Sequence, residues 1–140
     1  MSAVVVGIDG SDGSRRALRW GLDEARRRHT ALRVVHAWRM PYAPASAGYV
    51  PLPEAPLHDA AKKGAELVLN AEIAAIEHGD VPVEPLLVEG SPAPALLQAA
   101  KNAELLVVGS RGQHGFVELM LGSTGQQVAH HASCPVVVVR

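Results

Sequence analysis

The chain alternates short, unbroken apolar runs with longer stretches in which apolar residues return every three or four positions. Five runs stand out: Val4–Ile8, Leu32–Ala37, Val83–Val88, Leu105–Val108 and Val136–Val139. They are rich in valine and mostly uninterrupted by polar residues, which is how strands buried on both faces read. The stretches between them follow a helical period. From Ser14 to Arg28, Leu18, Leu22 and Ala25 mark one face, with Ala17 and Gly21 beside them, while Arg15, Arg16, Arg19, Asp23 and Arg26 fall elsewhere. From Ala60 to Glu77, Leu67, Val68, Ala71, Ala74 and Ala75 mark a second face. A third helix begins at Ser91, read as its cap, with Pro92 at the first helical position. A fourth runs from near Ser123 to near His131.

Strand and helix in repeated alternation predict an α/β fold: a parallel sheet covered by helices on both faces, in one domain spanning residues 1–140. Ligands of such sheets bind beyond the carboxyl ends of the strands, where the strand order reverses. Asp9, Ala37, Glu89 and Gly109 all stand at strand ends. One connection breaks the pattern. Residues 39–58, "RMPYAPASAGYVPLPEAPLH", hold five prolines and no periodicity. A connection of that length is uncommon in a compact domain; it reads as a lid, a partner surface or a disordered excursion.

Composition narrows the function classes. With 140 residues, 48% of them apolar, and a net charge of −1, the chain has a globular composition. The charge gives no electrostatic case for DNA or RNA. The arginines at 15, 16, 19, 26, 27 and 28 read as one solvated helix face. Asp9 interrupts the first apolar run and no basic leader precedes it, so no signal peptide is expected. No apolar run approaches membrane-spanning length, and the expected location is the cytoplasm. Cys134 is the single cysteine, read as a packed thiol. His36 is read as packed, and His130 and His131 as cations favoured at a helix end.

The candidate chemistry lies in "GSRGQHGFVELMLGSTG", residues 109–125, which carries five glycines, one arginine, one histidine and no lysine. Each glycine raises the entropy cost of ordering the chain, so bare backbone is needed there. The spacing Gly109-x2-Gly112-x9-Gly122-Ser123 is neither a P-loop nor the dinucleotide G-x-G-x-x-G. It has what a phosphate cradle requires. Gly109 and Gly112 allow sharp turns and close approach of a ligand, and Gly122 stands just before a helix start. Ser123-x-x-Gln126 fits a capping box, and the first turn offers unpaired N–H groups. Micromolar affinity needs about 8 kcal/mol. A helix terminus supplies only ~0.3–1 kcal/mol, and each hydrogen bond to a charged group roughly 1.5–3 kcal/mol. Several donors must therefore converge, with Arg111 and His114 at the rim and the hydroxyls of Ser123 and Thr124 on phosphate oxygens. On spacing alone, a mobile glycine-rich loop without a ligand is the competing reading.

The chain resembles a universal stress protein over essentially its full length. The resemblance is carried by "VVVGIDGSDGSRRALRWGLDEA", "LRVVHAW", "LLVVGSRGQHG" and "LGSTGQQVAHHASCPVVVVR". The nucleotide-binding members of that family carry G-x2-G-x9-G-[ST], matched here at Gly109, Gly112, Gly122 and Ser123. The resemblance implies a three-layer, adenine nucleotide alpha hydrolase-like fold with strand order 3-2-1-4-5, ATP as ligand, and a homodimer formed through Val136–Val139. It also implies a role in stress tolerance rather than a fixed metabolic reaction. By the same resemblance, Asp9 sits near the adenosine, and Ala37 offers backbone groups to the adenine edge. Val108 and Gly109 line the ribose, and Gly112, Gly122, Ser123 and Thr124 hold the phosphates. Asp9 has two further readings: assisting a phosphate-bound Mg²⁺, or capping the helix that follows together with Ser11.

Three other classes compete. A slow ATPase or phosphotransferase needs a positioned base and charge clamps on the γ-phosphate; with only Arg111 and His114 near, hydrolysis is expected to be weak or absent. A phosphoaccepting receiver needs an aspartate after strand three and a lysine after strand five; strand three ends "LLVEGS" and the sequence ends at Arg140, so it is rejected. A flavin module is compatible with the fold alone.

Overall fold

The valine-rich runs form the five strands of one parallel sheet in a computed structural model that describes residues 2–40, 54–110 and 122–140. In chain order the elements are β1 (Ala3–Ile8), α1 (Asp12–Arg28), β2 (Ala31–Trp38), α2 (Glu54–Ala74), β3 (Val83–Glu89), α3 (Pro92–Ala99), β4 (Leu105–Gly109), α4 (Ser123–His131) and β5 (Val136–Val139). The strand order is β3-β2-β1-β4-β5. The order therefore reverses between β1 and β4, which pair through Val4↔Leu105, Val5↔Leu106 and Val6↔Val107.

Because side chains of a strand alternate between faces, the apolar runs build two cores. Val4, Val6, Leu32, Val34, Leu105 and Val107 point to one side, under Ala17, Leu18 and Leu22 of α1 and Leu69 of α2. Val5, Val35, Leu106 and Val108 point to the other, under Ala93, Leu96 and Ala99 of α3 and Val128 of α4. The result is three layers, with α1 and α2 on one face and α3 and α4 on the other. Strands β1, β2 and β4 are buried on both faces, as expected. Strands β3 and β5 are only half-buried because they are the two edges. Pro85 lies inside β3 without penalty there, since an edge strand has N–H positions that need no ladder partner.

Helix α2 departs from expectation in two ways. It begins at Glu54, six residues before the predicted start, and so takes in the end of the proline-rich connection; residues 41–53 lie outside the described residues. It also packs on a different face. Ala65, Leu69 and Glu72 are buried, with Ile73 and Ile76 partly so, while Leu67 is 66% exposed and Ala71, Ala74 and Ala75 face solvent. The helix carries apolar residues on more than one face, and periodicity alone favoured the wrong stripe. The buried stripe contains a carboxylate, whose partner is on another helix: Arg15 Nε of α1 donates to Glu72 Oε1 at 3.0 Å. That contact, with Asp12, holds the Arg15 guanidinium above its ordinary value.

Candidate functional site

The carboxyl ends of β1 and β4 lie side by side, and the first turn of α1 and the start of α4 both lie against the end of β4. After Ile8 the chain turns through Gly10, whose φ of 81° favours a residue without Cβ, and enters α1. Four hydrogen bonds close that turn. Asp9 Oδ1 accepts from the Ser11 N–H at 2.9 Å, and the Asp9 N–H donates to Ser14 Oγ at 3.2 Å. Ser11 Oγ accepts from the Ser14 N–H at 3.2 Å, and the Ser14 hydroxyl donates to the Ser11 carbonyl at 3.1 Å. The capping role considered for Asp9 and Ser11 is taken by Ser11 alone, while Asp9 bonds the amide of the cap residue and so shapes the turn that precedes the helix.

At the end of β4, Val108 is buried and Gly109 pairs in register with Val139. Gly109 is tight against α1. A Cβ built there would stand 2.9 Å from the Gly13 carbonyl oxygen and 3.0 Å from its carbon. The expectation was that bare backbone at 109 admits a ligand; in the structure it admits the first turn of the protein's own helix. Ser110 then donates its N–H to the Val139 carbonyl at 2.9 Å and accepts from the Gly122 N–H at 2.8 Å. The second bond brings the start of α4 to the end of β4. Arg111, Gly112 and His114 belong to residues 111–121 and lie outside the described residues.

Helix α4 starts with Gly122 as N-cap in extended conformation, φ −64° and ψ 164°. The proposed Ser123–Gln126 capping box does not form. Ser123 is the first helical residue rather than the cap, and the Gln126 N–H donates to the Gly122 carbonyl at 3.0 Å as the first intrahelical bond. A glycine cap has no side-chain oxygen, so it claims none of the N–H groups of Ser123, Thr124 and Gly125 that a first turn leaves over. The contrast with the other termini is chemical. At α1 the Ser11 hydroxyl takes the Ser14 N–H and a carboxylate stands beside it. At α3, Pro92 and Pro94 remove two of the N–H groups a first turn would present. Of these three termini, α4 is the one whose first turn keeps its N–H donors unclaimed by a cap side chain or by proline.

The remaining candidate, Ala37, is half-buried near the end of β2, opposite Val88 of β3. The next residue, Trp38, is buried, and its carbonyl accepts from the Gly90 N–H at 2.8 Å. Its ring lies 5.1 Å from that of His58, whose Nε2 is 3.1 Å from both carboxylate oxygens of Glu89. This clamp ties the N-terminal part of α2 to the ends of β2 and β3. Like Arg15–Glu72, it joins residues too distant in sequence to leave a pattern. His36 Nδ1 donates to the Ile8 carbonyl at 3.0 Å, a packed histidine as expected. Among the described residues no group of three or more His, Cys, Asp or Glu could hold a metal, and no helix is long and apolar enough to cross a membrane.

The family model described as "Universal stress protein family" matches residues 1–140. The chain belongs to the universal stress protein family. Universal stress protein Rv2005c of Mycobacterium tuberculosis is 40% identical over 139 residues, covering 98% of this chain and 45% of its own length. Universal stress protein YxiE of Bacillus subtilis is 36% identical over 145 residues, covering 98% of this chain and 97% of its own. The chain thus spans about half the length of the mycobacterial relative and nearly all of the Bacillus one. Among solved structures, a universal stress protein in complex with cAMP superposes with a TM-score of 0.61 at 29% identity, over 99% of this chain and 96% of that one.

Proposed function

We infer that this universal stress protein binds an adenine nucleotide, ATP in the first place, at the mouth between β1 and β4, and acts as a nucleotide-dependent regulator of the stress response. The observation that carries the reading is the glycine-capped start of α4, drawn to the end of β4 by the 2.8 Å bond from the Gly122 N–H to the Ser110 carbonyl. The crevice suits a triphosphate because first-turn amides and the Ser123 and Thr124 hydroxyls are donors, and the bare cap leaves room for an anion to reach them. The cAMP complex of a 29% identical relative supports an adenine nucleotide as the ligand class.

In this reading Gly122, Ser123 and Thr124 hold phosphates, with Gly112 and Arg111 contributing from the glycine loop. Val108 and Gly109 line the ribose, and Ala37 presents its backbone to the adenine edge. The Asp9 carboxylate accepts from a ribose hydroxyl, the adenine amine or the water shell of a phosphate-bound Mg²⁺. The bound nucleotide supplies the signal, and the chain supplies orientation. We further read the chain as a single cytoplasmic domain that dimerises through Val136–Val139, since β5 is an apolar edge strand with few guards.

The test is to denature the purified protein, identify released nucleotide by mass, and titrate ATP, ADP, AMP and cAMP calorimetrically. ATP or ADP is expected. Gly122→Val keeps the fold, because an extended φ suits valine, and abolishes binding. A folded Gly122→Val protein with unchanged affinity overturns the placement of the phosphates, and absence of binding by any of the four overturns the reading.

A further inference from the structure

Strand β2 runs past the end of its pairing with β1, and its last residues are held from the β3 and α2 side. Backbone groups along a strand point alternately to its two neighbours. Leu32 donates its N–H to the Pro82 carbonyl at 2.9 Å, and the Trp38 carbonyl accepts from the Gly90 N–H at 2.8 Å, so the even-numbered residues of β2 turn toward β3. Ala37 therefore turns its N–H and carbonyl toward β1. Pairing with β1 stops at Ile8↔His36, and the chain bends away through Gly10. Among the described residues no backbone N–H outside the strands donates to the Ala37 carbonyl. A half-buried residue thus turns an acceptor toward the mouth of the sheet.

That carbonyl shares a peptide with the Trp38 nitrogen, and a peptide is planar. Whatever fixes Trp38 sets the direction of the Ala37 carbonyl. Three contacts fix it. Trp38 pairs with Glu89 in the ladder, its own carbonyl takes the Gly90 N–H, and its buried ring lies 5.1 Å from the ring of His58. His58 is fixed in turn, because its Nε2 stands 3.1 Å from both carboxylate oxygens of Glu89, and a ring nitrogen facing a carboxylate is a donor. Glu89 therefore supports Trp38 twice, by its backbone along the strand and by its side chain through α2.

We propose that Trp38, His58 and Glu89 are positioning residues for nucleobase selectivity. By holding the Ala37–Trp38 peptide they keep the Ala37 carbonyl where a base with an exocyclic amine donates to it. A base with a carbonyl at that place sets acceptor against acceptor and is refused. The inference rests on the adenine-nucleotide reading above and adds to it the residues that enforce the choice of base. His58 and Glu89 are 39% and 53% exposed. Exposed pairs contribute little to stability, so removing this one leaves the chain folded and its effect is read in selectivity.

Calorimetric titration of the purified protein with ATP and with inosine triphosphate tests it. The two differ in the exocyclic group of the purine, an amine in ATP and a carbonyl in inosine triphosphate. Wild type is expected to favour ATP about tenfold or more, the worth of one hydrogen bond. His58→Ala and Glu89→Ala are each expected to cut that preference roughly threefold or more. Glu89→Gln keeps a side-chain oxygen for His58 and is expected to keep the preference. The double variant His58→Ala/Glu89→Ala is expected to lose no more than either single one, because the two act as one unit. A loss of stability alone lowers both affinities alike and leaves their ratio unmoved. A wild type that binds ATP and inosine triphosphate equally overturns the inference while the nucleotide site stands. So does a preference that His58→Ala and Glu89→Ala leave intact. A wild type that binds neither overturns the nucleotide reading itself, and the inference falls with it.

Discussion

Gly109→Ala is the substitution whose outcome the packing constrains most. The added Cβ meets the Gly13 carbonyl oxygen at 2.9 Å, its carbon at 3.0 Å and the Ser14 nitrogen at 3.3 Å. All three are backbone atoms, so no rotamer change relieves the overlap. Strand β4 cannot retreat either, because it is paired with β1 on one side and β5 on the other. The first turn of α1 must move, and with it the hydrogen bonds that Ser14 makes to Ser11 and Asp9. Overpacking of this kind costs about 1–3 kcal/mol, and the stiffer unfolded chain returns roughly 0.4–1 kcal/mol. The net loss is about 1–2 kcal/mol. With an unfolding entropy near 2.1 cal/mol/K per residue, that lowers the midpoint by roughly 3–7 °C. Differential scanning calorimetry, backed by urea titration, reads it. Gly64→Ala is the control, since position 64 is in mid-helix with nothing within 4 Å, and the same added methyl raises stability by up to about 1 kcal/mol. A Gly109→Ala protein as stable as wild type would refute the claim that α1 is what requires bare backbone there.

Four further outcomes follow from other contacts. Arg15→Ala leaves the buried Glu72 carboxylate without its partner, at the roughly 1–3 kcal/mol of an unsatisfied buried acceptor, and lowers stability in urea titration more than Glu72→Ala, which frees only a half-exposed guanidinium that water and Asp12 still reach. Asp9→Asn keeps a side-chain oxygen for the Ser11 N–H, so its thermal midpoint stays within a few degrees while calorimetric nucleotide affinity falls; equal affinity removes Asp9 from the site. Burial pushes the Cys134 thiol above its ordinary value. The protonated thiol is thus favoured in the fold: its contribution to stability is complete below the unfolded pKa of about 8.5 and is lost as pH rises toward the folded value. Relative to Cys134→Ser, the wild type should weaken above that pH, and native protein should alkylate more slowly than unfolded protein. Single-turnover assays with ATP should show hydrolysis far below ~1 s⁻¹; turnover in the ~1–100 s⁻¹ range of kinases would make this an enzyme.

The sheet was legible because its strands are written as valine runs that hardly admit another reading, and three of the four helices because apolar residues mark one face or a cap marks the start. The end of β4 and the start of α4 were legible from Gly109, Gly122 and Ser123, although the reason for Gly109 was not. A sequence shows that a position needs bare backbone without showing whether a ligand or a neighbouring helix comes close. The Ser123–Gln126 box was misread by one residue, since the cap is set by where the chain leaves its extended conformation, and the bond from Gly122 to Ser110 fixes that point.

By itself, then, the sequence determined the alternation of elements and the parallel sheet, both of which rest on local periodicity. The tertiary structure decided which side of α2 is inside. Leu67 and Leu69 compete for the core, and the stripe with Leu69 wins although it carries Glu72, because α1 brings Arg15 to meet that carboxylate. Burial of a charge depends on a partner 57 residues away, and no local pattern can announce it.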